Sequence, residues 1–159
     1  MTEHEKWMEF AFKEAEQAYK RKEVPIGAVI ILDNRIVGRG YNQMETLRDP
    51  TAHAEIIAIT AAASQLDNHR LENCTMYVTL EPCAMCAGAI VLARIPQLVY
   101  GAADPKSGAC GTLYNIVQDE RLNHRVQLIR GVLEPKCSGI LKDFFGKVRS
   151  NEMKKPKPN

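Results

Sequence analysis

The sequence predicts an α/β protein: a mixed five-stranded sheet with helices on both faces. Three observations carry this. An amphipathic helix opens the chain, two apolar runs joined by a turn signal follow, and from Thr51 onward helical and strand-like stretches alternate. Alternation after a hairpin implies a mixed sheet whose later strands are joined by right-handed crossovers.

The elements follow in order. Thr2 and Glu5 form a capping box, and Trp7, Met8, Ala11, Ala15, Ala18 and Tyr19 make a helical stripe ending near Lys22. This helix packs and carries no chemistry; His4, in its first turn, is read as exposed. Ile26 to Leu32, the turn signal Asp33-Asn34, and Ile36 to Tyr41 make a hairpin. A helix from Thr51 to about Leu66, with Asp49 or Thr51 as its cap, is nearly all apolar in Ile56, Ile57, Ile59 and its alanines, and is expected to be buried. Asn68, His69 and Asn73 mark a loop. Strand three covers about Thr75 to Leu80, a helix follows Pro82 and ends before Pro96, and strand four covers about Gln97 to Ala102. The loop from Ala103 to Gly111 holds Asp104-Pro105, Lys106 and two glycines, the kind of loop that carries binding residues over a rigid sheet. A short helical piece at Leu113–Asp119 and a fifth strand, Val126 to Arg130, lead to the last helix. Its stripe is Cys137, Ile140, Leu141, Phe144, Phe145 and Val148, mostly core, with room for one aromatic to face a pocket. His69 and His124 have no partner motif.

Two short stretches carry the chemistry. Thr51–Glu55 reads T-A-H-A-E, and Pro82–Cys86 reads P-C-A-M-C. Cys83 and Cys86 stand three apart after a proline that favours a helix start, so both sulfurs reach one ion from a single helical face. His53 and Glu55 are two apart and converge only if the ion lies off the end of their helix, which places it between two helix N-termini. His53, Cys83 and Cys86 make a zinc site with three protein ligands and an open fourth position. Two thiolates, a neutral imidazole and a zinc dication sum to zero. Water at the open position loses a proton near pH ~7. Glu55 is free to take that proton and hand it to a ring nitrogen and to departing ammonia. H-x-E followed by P-C-x-x-C is the signature of zinc-dependent deaminases. A C-x-x-C pair alone also suits a structural zinc or a redox dithiol. The first wants a second close pair, which isolated Cys74, Cys110 and Cys137 do not provide, and the second leaves His53 and Glu55 without a role. Asn42, at a strand end near this helix, is either a turn residue or a contact to a base edge.

Composition sets outer limits. At 159 residues the chain makes one domain, expected over 1–150, large enough to bury a core without disulfides. Five cysteines, an odd number with two in the ligand pair, indicate a reducing compartment. A charged N-terminus and the lack of a long apolar run point to a cytoplasmic, non-membrane protein. Net charge is +2, yet Gly146–Asn159 holds five basic residues against one acidic. The segment 151–159 therefore reads as a basic tail, whose proline-containing composition fits a solvated, flexible end better than a phosphate-binding patch.

G-Y-N at 40–42, D-P-T-A-H-A-E at 49–55, T-L-E-P-C-A-M-C-A-G-A-I at 79–90, G-A-A-D-P-K-S-G at 101–108 and N-H-R at 123–125 together resemble the bacterial tRNA adenosine deaminases. The zinc motif alone marks the wider cytidine-deaminase-like superfamily; N-H-R and the D-F-F helix at 143–145 narrow it. The resemblance spans about Trp7 to Arg149. It implies a three-layer α/β/α fold, a homodimer, one Zn2+ per subunit, and conversion of the wobble adenosine, position 34 of an arginine tRNA, to inosine. It implies that His53, Cys83 and Cys86 are the ligands, that Glu55 is the proton shuttle and that Asn42 binds the purine. Contacts to the tRNA anticodon loop fall on Asp104, Lys106 and Asn123, with Phe144, Phe145 and Arg149 nearby; no DNA partner is expected. Unpairing a base costs least in single-stranded RNA, and sequence-specific RNA recognition favours splayed loop bases, which suits such a substrate. Two rival readings use the same residues: a deaminase of free guanine, cytosine or a nucleoside, and an RNA-binding protein with a structural zinc.

Overall fold

In the computed structural model, which describes residues 1–150, one sheet runs in the order β2-β1-β3-β4-β5. The expected basic tail, 151–159, lies outside the described residues. β1 (Gly27–Leu32) pairs antiparallel with β2 (Arg35–Tyr41) and with β3 (Thr75–Leu80). β3, β4 (Gln97–Ala102) and β5 (Gln127–Ile129) run parallel. The sheet is therefore mixed, as expected. Asp33 and Asn34 sit at φ 50° and 61°, the left-handed pair that matches a two-residue turn to the twist of its strands.

Side chains alternate between two cores. Val29, Ile31, Tyr77 and Val99 pack with Trp7, Met8 and Ala11 of α1 (Glu3–Lys20) and with Cys137 of α5 (Glu134–Arg149). Ala28, Ile30, Met76, Val78, Leu98 and Tyr100 pack on the other face, against α3 (Ala54–Leu66) and α4 (Ala84–Leu92). The period of two along each strand thus yields the three layers, α/β/α.

α3 lies against the sheet by an unexpected face. Ala54, Ala58 and Ala62 are fully buried, whereas Ile56, Ile57 and Ile59 are only half-buried. The cause is in β2. A Cβ at Gly40 would stand 2.5 Å from the Ala54 carbonyl oxygen, and one at Gly38 2.4 Å from that of Ala58. With no side chains there, the helix backbone rests directly on the strand, and only alanine fits the seam.

Other expectations shift locally. α3 begins at Ala54 with His53 as its N-cap, not at Thr51. Asp49 instead accepts hydrogen bonds from the Thr51 amide (2.8 Å) and hydroxyl (2.7 Å), shaping the turn before the helix. A four-residue helix, α2 (Met44–Leu47), had no signal in the sequence. Buried Glu23 holds it, accepting from the amides of Glu45 (3.2 Å) and Thr46 (2.6 Å) and from the Thr46 hydroxyl (2.7 Å). The piece expected at 113–119 shrinks to a 3-10 turn, Ile116–Gln118. His4 is half-buried, not exposed, with Nδ1 2.8 Å from the Tyr77 hydroxyl. His124 is structural, with Nε2 2.7 Å from the Ile95 carbonyl. No helix among the described residues is long and apolar enough to cross a membrane.

Candidate active site

The site forms at the carboxyl ends of the parallel strands β3 and β4, where open α/β sheets place their ligands. The register Gly27↔Tyr41 brings the end of β2 to the same place, and with it Asn42. Four loops converge: 42–53, 81–83, 103–112 and the segment before β1.

His53 is the N-cap of α3 and Cys83 the N-cap of α4, both with extended backbone, at φ −79° and −75°. Glu55 and Cys86 lie in the first turns of those helices. Two helix N-termini therefore aim at one point, and their partial positive charge favours thiolates there. His53 Nδ1 is 3.6 Å from Cys83 Sγ and 3.5 Å from Cys86 Sγ. All three donor atoms lie within 4.8 Å of one another. A tetrahedral ion with Zn–S of about 2.3 Å and Zn–N of about 2.0 Å separates sulfur from nitrogen by about 3.5 Å, which both sulfur–nitrogen distances match. Among the described residues no fourth histidine, cysteine or carboxylate joins the group. Hydrogen bonds from Cys86 and His53 hold the Cys83 thiol down at about 3. The shared bond with Cys83, then burial, pushes the Cys86 thiol up. The His53 imidazole is raised, chiefly by the Cys83 sulfur, and a backbone hydrogen bond to Pro50 helps to fix its ring, the kind of outer contact that orients a metal-binding histidine.

Glu55 is 4% exposed, and burial pushes its carboxyl up to about 7. Its neighbours are its own backbone amide and the Cys86 thiol. It lines a recess of about 120 Å³ together with His53, Cys83, Leu80, Asp104 and Ser107. That recess adjoins a larger cavity of about 640 Å³, sharing His53, Ile26, Leu80, Asp104 and Ser107 with it. The volume suits a ligand site.

Buried Asn42 lines the large cavity, and its Oδ1 accepts the Ala54 amide at 3.2 Å. The residue thus satisfies an amide of the first turn of α3 while lining the cavity. Asp104 Oδ1 accepts the amides of Lys106 (3.0 Å) and Ser107 (3.2 Å), building the turn that exposes Lys106. Lys106, Phe145 and Arg149 line the cavity. Phe144 does not; it is fully buried, with its ring against Tyr19 and Phe145, so of the two aromatics that the resemblance places near the anticodon loop only Phe145 faces the cavity, in keeping with the room for one aromatic on this helix. Asn123 is exposed and lies outside the cavity lining.

Sequence reading missed Ser138 and Lys142, which line the cavity from α5. Their signal was present: 138, 141, 142, 145 and 149 recur at the spacing of one helical face. It also missed Glu81, which shares the small recess with Glu55.

Comparison with known proteins gives one consistent result. A family model for MafB19-like deaminases matches residues 2–149. The tRNA-specific adenosine deaminase of Bacillus subtilis (strain 168) is 48% identical over 96% of this chain and 94% of its own length. That of Haemophilus influenzae is 47% identical over 93% of this chain and 86% of its own. A structure from work on A-to-I editing by tRNA:A34 deaminases superposes with a TM-score of 0.82 at 45% identity, covering 86% of this chain and 99% of that one. The guanine deaminase of Nitrosomonas europaea shares the fold, with a TM-score of 0.81 at 20% identity over 92% of this chain and 86% of its own. With nearly half of its residues shared along almost its full length, and with the imidazole and both thiols converging as that chemistry requires, the chain belongs to the family of tRNA-specific adenosine deaminases.

Proposed function

We propose that the protein hydrolyses the wobble adenosine of a tRNA, an arginine tRNA by resemblance, to inosine and ammonia, with one zinc ion per subunit held by His53, Cys83 and Cys86. The observation that carries this reading is the buried Glu55 beside a three-donor group, in a small recess that adjoins a cavity of ligand size.

Bound zinc would bring the pKa of a water at the open position to about 7. With zinc bound, Glu55 would take one proton from the attacking water and pass it to adenine N1 as the C6–O bond forms, then take the second from the new C6 hydroxyl and pass it to the amino group, which leaves as ammonia as the C6–N bond breaks. One carboxyl positioned beside the reacting atoms serves both the accepting and the donating step. Asn42 orients the purine through its amide. Phe145 offers a stacking surface for a splayed base, worth about 1–3 kcal/mol. Lys106, Lys142 and Arg149 supply cations at both sides of the mouth for phosphates. Flipping the base costs a few kcal/mol, least in a single-stranded loop.

A second copy of the chain completes this reading. The outer side of α4 presents Ala84, Met85 (37% exposed), Gly88 and Leu92 (77% exposed), with no charged residue in the helix. A Cβ at Gly88 would meet nothing within 4 Å, so another backbone can approach there. Such a face supports a homodimer. A tRNA substrate places the enzyme in the cytoplasm.

The deciding experiment incubates zinc-loaded protein with an anticodon stem-loop and, separately, with free bases and nucleosides. Sequencing should show inosine at the first anticodon position. Ammonia from a free base with none from RNA would replace this substrate by a small one.

A further inference from the structure

Glu81 precedes the ligand motif and is not itself part of the three-donor group. It is 2% exposed, and both its oxygens are occupied. Oε1 accepts the Asp104 amide at 3.0 Å and the Thr112 hydroxyl. Oε2 accepts the amides of Cys110 (3.0 Å) and Thr112 (3.1 Å). Every one of these donors comes from a single loop. Gly108 closes over the same carboxylate: a Cβ there would stand 2.5 Å from the carboxyl carbon and from Oε1. The loop is tied to the turn at Pro82 as well, through Ala109 N–H to the Pro82 carbonyl (2.9 Å). It is therefore wrapped around one anion that sits two residues from Cys83.

We infer that Glu81 is a positioning residue: its carboxylate gathers loop 103–112 and fixes it to the turn carrying Cys83, holding Asp104, Lys106 and Ser107 in register with the metal-binding group. The inference rests on the proposed function in taking that loop as the RNA-facing wall. The geometry assigns one function to each end of the residue. The backbone belongs to the ligand turn, and the side chain templates the wall opposite it. No neutral residue does this equally. An amide at 81 would turn an N–H toward N–H donors on one side, and alanine would leave three loop amides, the buried one of Cys110 among them, without this acceptor. Loops fixed this way hold reacting groups in place without reorganising during the reaction.

The test uses the full-length, zinc-loaded protein and compares Glu81→Gln, Thr112→Val and Gly108→Ala with the unmodified chain. Thr112→Val removes one donor at nearly constant shape, so it decides the matter even if Glu81→Gln folds poorly. Four quantities are read: zinc content, amide exchange of Asp104, Cys110 and Thr112, and KM and kcat on an anticodon stem-loop. We expect one zinc per chain throughout, and exchange in 103–112 faster by about tenfold in Glu81→Gln while sheet amides stay protected. KM should rise about tenfold in Glu81→Gln and about threefold in Thr112→Val, with kcat within about threefold of normal. Gly108→Ala should reproduce the pattern by pressing on the carboxylate from the opposite side. A fall in kcat at constant KM would overturn the inference, because it signals a smaller active fraction, not a displaced wall. Unchanged exchange in 103–112, or loss of zinc with the loop still protected, would overturn it too. If the unmodified protein turns over no RNA, the proposed reaction falls, and the exchange data alone decide the role of Glu81.

Discussion

Glu55 and Glu81 line the same recess, and both are nearly inaccessible, yet they are built in opposite ways. Glu81 accepts four hydrogen bonds from one loop. Glu55 draws on its own amide and the Cys86 thiol, with His53 and Cys83 acting on it as charges, and burial raises it to about 7. One carboxylate is satisfied and stays still; the other is desolvated and left able to exchange a proton. Two acids buried to the same depth thus differ in their donors, and it is on that difference that we propose a strut in Glu81 and a proton carrier in Glu55.

That contrast can be broken in several ways. Removing metal has the largest effect. Dialysis against a chelator should abolish deamination, and added zinc should restore it, while exchange protection at Cys110 and Thr112 persists because Glu81 still gathers the loop. Loss of that protection on chelation would merge the two carboxylates into one unit. Next, Glu55→Gln should lower kcat by about 10³-fold with zinc and fold retained, within the usual range for general acid–base catalysis. Retained turnover in that variant would take the proton transfer away from Glu55, whereas RNA binding with no turnover in the unmodified chain would favour the RNA-binding reading with a structural zinc.

Stability separates the pair with a smaller signal. Glu81→Gln should cost about 1.5–3 kcal/mol in urea unfolding, the usual worth of hydrogen bonds to a charged group, while Glu55→Gln should cost nothing or stabilise. The pH dependence gives the sign. In metal-free protein the Glu55 carboxyl is raised from 4.5 to about 7, so the folded state holds a proton that the unfolded state has released. Stability from this group is complete below about 4.5 and is lost as pH rises toward 7. Unfolding midpoints measured with chelator at pH 5, 6 and 7 should fall along that series, and Glu55→Gln should flatten the slope. The least effect is expected of Lys106→Ala: binding to the stem-loop weakens a few-fold, and the slope of log affinity against log salt becomes shallower by about 0.7. An unchanged slope would remove the phosphate contact at that residue.

The sequence disclosed the parts of this arrangement that are local. The three-donor group could be read because its spacing is imposed by helix geometry at two N-termini, and the side chains of His53, Cys83 and Cys86 do converge. The hairpin, the first helix with its capping box and strands three and four were equally visible, since each is set by neighbours in the chain. What stayed hidden depends on distant partners. The donors to Glu81 lie 23 to 31 residues away, and α2 exists because Glu23 reaches across to it. Four residues are too few to show a period. The choice between Phe144 and Phe145 was closed to sequence reading because adjacent helical residues differ by about 100° in direction, and only packing against Tyr19 decides which one is core.

The glycine seam sets α3, with His53 at its cap and Glu55 in its first turn, against an edge strand of the sheet, β2, which has a neighbour on one side alone. Border strands open more readily than central ones. Each transient fraying of that border would carry His53 and Glu55 away from the two sulfurs, which ride on the sheet's interior. The lifetime of a captured ion should therefore follow how often the hairpin edge breathes, and a substitution that tightens the β1–β2 pairing should slow metal escape without touching any ligand.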